Sequence, residues 1–131
     1  MKNNLPLGKK LGGIQEQLDR LLEKGDFGAK WQALYEEQKQ IENIIVERNL
    51  KGQQLEKQGD VHSAIQLYEQ NIADEVDTPH PYNRLAIIYR KQKRFDDEIR
   101  VLEKAIQVYK EPEKESKWKE QLSKAKERQQ S

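Results

Sequence analysis

The stretch Arg84–Ile106, RLAIIYRKQKRFDDEIRVLEKAI, restates a pattern laid down 34 residues earlier by Leu50–Ile72, LKGQQLEKQGDVHSAIQLYEQNI. Leu55 maps onto Tyr89, Val61 onto Phe95, Ile65 onto Ile99, Tyr68 onto Leu102 and Ile72 onto Ile106, while Gly52 keeps step with Ala86. A fainter copy lies another 34 residues upstream, where Gly25-Asp26-Phe27 anticipates Gly59-Asp60-Val61. A fixed period of this length marks stacked helical hairpins, each unable to bury its apolar face alone. Such stacks present extended surfaces for binding, so the period narrows the class of function before any single residue is weighed.

Composition agrees with a layered helical chain. Hydrophobic residues make up 34% and charged residues 36% of the 131 positions, too little apolar matter for a thick spherical core but enough for a stripe on each layer. The apolar positions recur at helical spacing, which argues against disorder. With 24 basic and 23 acidic residues the formal net charge is +1, so no overall attraction to nucleic acid or anionic membrane is expected. Cysteine is absent, which removes disulfides and thiolate metal sites and accords with a reducing compartment. No run approaches the roughly 18 apolar residues of a membrane span, and Met1–Gly13 has no apolar core of a signal peptide. A cytoplasmic protein is expected.

Pro6, Gly8, Gly12 and Gly13 give residues 1–13 the character of a flexible or irregular arm. From there one domain, 14–131, is expected. Ile14, Leu18, Leu21 and Leu22 form one helical stripe, and Gly25-Asp26-Phe27-Gly28 breaks it. Ala29–Gln58 contains no strong breaker, so it forms either one long helix or two that meet near Glu47-Arg48-Asn49. Further helices are predicted over about His62–Asp74, Tyr82–Lys93 and Asp96–Tyr109, with Asp77-Thr78-Pro79-His80-Pro81 as a loop. A polar helix at 114–129, with Trp118, Leu122 and Ala125 on one face, would cap the open end.

The motif Tyr82-x-x-Leu85-Ala86-x-x-Tyr89, continued by Phe95, Leu102 and Ala105, resembles the tetratricopeptide repeat family. Gly52, Leu55, Gly59, Ala64 and Tyr68 fit the preceding unit. The resemblance covers about 45–110. Arg48, Lys51, Asn71 and Glu98 depart from it, Glu98 standing where a small residue is usual. It implies an all-α fold of antiparallel helix-turn-helix repeats stacked as a short right-handed solenoid. The units would be a degenerate repeat at 14–46, repeats at about 45–78 and 79–112, and the capping helix. Small residues at Gly52, Ala64, Ala86 and Ala105 would let helices approach to interaxial distances of roughly 8–10 Å.

The same resemblance implies a non-catalytic protein-interaction module, an adaptor that binds a peptide segment or partner helix on a concave face. In register, that face falls on Asn49, Gln53, Glu56 and Lys57, then Asn83, Ile87, Arg90 and Lys91. Amides can pair with both the N–H and C=O of a peptide backbone, and Arg can fork onto a carboxylate. Some family members clamp the C-terminal carboxylate of heat-shock chaperones. Asn49, Gln53 and Arg84 stand where that clamp wants lysine and two asparagines, which argues against it here.

Other chemistry finds little footing. Arg84, Arg90, Lys91, Lys93 and Arg94 form a basic run that would suit a nucleic-acid-associated regulator, yet Asp96, Asp97 and Glu98 follow at once and Asp74, Glu75 and Asp77 precede. Nucleic acid is therefore an alternative partner of second rank, and a self-assembling homo-oligomer stacked through its end helices is a third reading. His62 and His80 are far apart with no ligand motif, the acidic run lacks a calcium loop, and the glycines match no nucleotide fingerprint. No metal, cofactor or catalytic residue is expected.

Overall fold

A computed structural model describes residues 5–130, and among these the chain is all-helical with no strand. The six helices are α1 (Leu7–Glu23), α2 (Ala29–Lys57), α3 (Val61–Ala73), α4 (His80–Lys91), α5 (Phe95–Val108) and α6 (Pro112–Gln130). The 34-residue period reappears in the backbone. Gly25 (φ 70°), Gly59 (φ 86°) and Lys93 (φ 60°) all take the left-handed conformation. After each, the next N–H returns to the carbonyl five residues back: Asp26 to Leu21 (2.9 Å), Asp60 to Leu55 (2.9 Å) and Arg94 to Tyr89 (2.8 Å). This is the helix-ending turn that glycine favours because it has no Cβ to clash.

The glycine-rich start is not an irregular arm throughout. Helix α1 begins at Leu7 and runs through Gly8, Gly12 and Gly13, while residues 1–4 of the expected arm lie outside the described residues. A tertiary partner overrides the weak helix propensity of those glycines. The Asp74 carboxylate accepts from the Leu7 N–H at 3.1 Å, and the Asp74 carbonyl accepts from the Gly8 N–H at 2.7 Å. Two of the unpaired donors that open any helix are thereby satisfied.

Helix α2 settles the open question at Glu47-Arg48-Asn49, because it passes through without a turn. Its 29 residues span about 43 Å at 1.5 Å per residue. Helix α1 pairs antiparallel with its N-terminal part, where Gln38 donates to Gln15 at 2.7 Å. Helix α3 pairs with its C-terminal part, where Tyr68 donates to Glu56 at 2.6 Å and the Asn71 amide donates to the Ile45 carbonyl at 3.1 Å. The C-terminal end of α3 thus meets the N-terminal end of α1 beside Ile45. Opposite ends of two helix dipoles face each other there, with Asp74 adding a full negative charge. Arg48 of α2 closes the corner on Asp74 at 2.6 Å.

Close approach of α2 and α3 rests on Gly52. A Cβ at that position would sit 2.5 Å from Cε1 of Tyr68, a fully buried ring. The core continues through Tyr82, Leu85, Tyr89, Val101 and Leu102, all nearly inaccessible. Helix α6 packs on this end of the core: Trp118 is buried, with its ring 6.2 Å from Tyr82 and 5.7 Å from Tyr109.

Candidate functional site: a cationic groove between α4 and α6

Of the residues expected on one binding face, the structure brings three together. Asn83, Ile87 and Arg90 recur at the four- and three-residue spacing of one helical face on α4, and they form one wall of a groove of about 380 Å³. The opposite wall is α6. Lys114, Lys117, Gln121, Lys124 and Arg128 line it at alternating spacings of three and four, with Trp118 beneath them. Sequence reasoning missed this stripe, although its spacing was legible. Glu113, Glu115, Glu120 and Glu127 interleave with the cations and mask their helical phase, and none of those carboxylates lines the groove.

The groove floor is organised by the cap. The Trp118 indole N–H donates to Asn83 Oδ1 at 2.8 Å, which holds the amide in one orientation. Its NH2 group makes no hydrogen bond among the described residues and remains a donor. Among the described residues, Arg90, Lys114 and Lys117 enter no ion pair, while Lys124 meets Glu120 at 3.6 Å on the surface. Arg128 reaches 3.5 Å from Glu98 Oε2. Glu98 is buried on α5 and its second oxygen has no partner. Desolvation pushes its carboxyl above the ordinary range, against the pull of Arg128 and Arg90.

The remaining expected residues do not line this groove. Asn49 is half-buried and accepts from the Asn71 amide at 3.0 Å, so it ties α2 to α3. Gln53 Nε2 lies 3.2 Å from His80 Nε2, and that ring packs edge-on against Tyr68. Burial pushes His80 below its ordinary value, with the nearby Arg84 adding to the shift and Glu56 opposing it. Glu56 is spent on Arg84 and Tyr68. Lys57 and Lys91 are exposed at helix ends.

The basic run from Arg84 to Arg94 does not act as one patch. Arg84 pairs with Glu56 at 2.5 Å, and Arg94 pairs with Asp97 at 2.9 Å while lying over the Tyr89 ring. Only Arg90 enters the groove. His62 is exposed on α3, and no group of three or more metal-ligating side chains occurs among the described residues. No described helix is long and apolar enough to cross a membrane. A second groove, about 560 Å³, lies between α1 and α2 and is lined by Leu11, Ile45 and Val46 with Glu42 and Asp77.

Fold and groove together define an all-α, repeat-like chain with a cationic cleft between α4 and α6. No family model, no curated protein and no solved structure matches it.

Proposed function

We propose that this chain is a non-catalytic protein-interaction module of the tetratricopeptide type, which holds a peptide segment or partner helix against the exposed face of α4. The observation that carries the reading is the groove. It is preformed, it is walled by α4 and α6, and it offers the apolar Ile87 beside an oriented amide and several cations. A scaffold already in place loses little conformational freedom on binding, which favours affinity from modest contacts. Recurrence of the left-handed turn at Gly25, Gly59 and Lys93 supports the repeat assignment. A nucleic-acid role for the Arg84–Arg94 run draws less support, because Arg84 and Arg94 are engaged within the fold.

Selection from a displayed random-peptide library against the intact chain tests the reading. Enriched peptides are expected to lose binding to an Ile87→Ser, Arg90→Ala variant and to keep it with Gln66→Ala, an exposed change on α3. Absence of any enriched peptide, or equal binding to both variants, would overturn it.

A further inference from the structure

We infer that the α4–α6 groove selects an acidic, extended peptide segment of about six residues carrying one aliphatic side chain. This inference rests on the reading just proposed and adds the chemistry of the partner. Arg90, Lys114, Lys117, Lys124 and Arg128 line the groove, and no carboxylate lines it. The sequence does not lack acids: Asp and Glu number 23, nearly matching the 24 Lys and Arg. Like charges set side by side repel one another in the empty protein, and an anionic ligand relieves that repulsion. Apart from the Gln121 amide, which carries both a donor and an acceptor, the polar groups available are donors. They include the Asn83 NH2 group, held outward because Trp118 occupies its oxygen.

Dimensions set the length of the segment. Lys114 to Arg128 spans about 21 Å along α6 at 1.5 Å per residue, and an extended strand covers that distance in about six residues at roughly 3.3 Å each. Ile87 is the half-buried apolar element of the α4 wall, which sets a place for one aliphatic side chain between flanking carboxylates. Single-stranded nucleic acid fits the groove less well. Sequence-tolerant binding of single strands relies on exposed aromatic rings on which bases stack. The groove's one aromatic, Trp118, is 1% exposed.

Fluorescence anisotropy on the full chain tests the inference with four labelled probes. These are a blocked peptide of aspartates and glutamates around a central leucine, its asparagine–glutamine analogue, its lysine analogue, and an oligothymidylate of similar length. Only the acidic peptide is expected to bind in the micromolar range. Lys117→Glu with Lys124→Glu should weaken it by roughly tenfold or more. Lys117→Gln with Lys124→Gln should weaken it less, and Lys51→Glu on exposed α2 surface should leave it unchanged. Circular dichroism of each variant should match the parent, because Lys117, Lys124 and Lys51 are all exposed.

If the neutral or lysine analogue binds as tightly, the acidic preference is wrong while the peptide-binding role stands. Tighter binding of the oligothymidylate overturns the inference in favour of a nucleic-acid ligand. Insensitivity of the acidic peptide to both double variants overturns the groove assignment. Failure of every probe, while the displayed library still yields peptides that depend on Ile87, sinks the acidic inference alone. Failure of both sinks the module.

Discussion

At the scale of single residues, Lys93 shows a repeat kept in shape while its chemistry drifts. Glycine occupies the equivalent turn positions 25 and 59, but Lys93 takes φ 60° with a Cβ in place. That conformation costs a non-glycine residue about 1–2 kcal/mol, and the greater freedom of glycine in the unfolded chain returns about 0.5–1 kcal/mol of it. Lys93→Gly should therefore stabilise the protein by about 0.5–1 kcal/mol in urea unfolding, and an unchanged midpoint would count against the turn. Glu98 is the other informative residue. Burial pushes its carboxyl above the ordinary value of 4.5, so between the unfolded and folded pKa values the folded state binds more protons than the unfolded state. Stability from this group is fully present below that value and is lost as pH rises through the folded pKa. Glu98→Gln keeps the shape and an acceptor for Arg128. It should melt above the parent at neutral pH, and thermal scans should show the difference closing as pH falls towards 4.5.

At the scale of elements, α1 owes its position to one residue far away in sequence. Asp74 supplies both acceptors for its first N–H groups, and Gly8 makes the contact possible. A Cβ at Gly8 would lie 2.1 Å from the Glu75 carbonyl oxygen, a backbone atom with little room to yield. Gly8→Ala should dislodge the N-terminal end of α1 although alanine is the better helix former, the steric term outweighing about 1 kcal/mol of propensity. Amide hydrogen exchange is the appropriate measurement. Faster exchange confined to α1, with α4 and α5 protected as before, is the expected result, and slower exchange would contradict the end-to-end contact.

For the whole molecule, the buried apolar side chains are unequally shared. Among the described residues up to 44 only Ile14, Leu18 and Ile41 are buried apolar side chains, whereas Ile45 onward includes Tyr68, Tyr82, Leu85, Tyr89, Leu102 and Trp118. The exposed large apolar residues show the opposite bias, with Leu22, Phe27, Tyr35, Ile44, Val46 and Leu50 all on α1, on α2 or in the turn between them. Global stability should therefore follow the capped end. Trp118→Ala removes the ring packed on Tyr82 and Tyr109 and should cost about 3–5 kcal/mol, lowering the main calorimetric transition as a unit. A small effect would mean that α6 docks without contributing to the core.

The 34-residue echo, the helical phase and the turn at Gly59 are local properties, carried by spacing and by the φ that glycine permits. That is why most helix positions could be read from the chain to within a few residues. That Asn83, Ile87 and Arg90 share one face of α4 follows from the same helical phase, whereas the expectation that this face binds came from the resemblance to the tetratricopeptide family. Three other matters depended on which surfaces meet. Gly8, Gly12 and Gly13 are helical because Asp74, remote in sequence, satisfies the helix start. Asn49 and Gln53 are held by α3 and by His80, outside the groove. The cations of α6 become one wall only when Trp118 docks on Tyr82 and Asn83, because the packing of that ring sets which side of the helix faces α4. Periodicity thus determined the helices and which side chains of α4 share a face, and long-range contacts decided what stands opposite it.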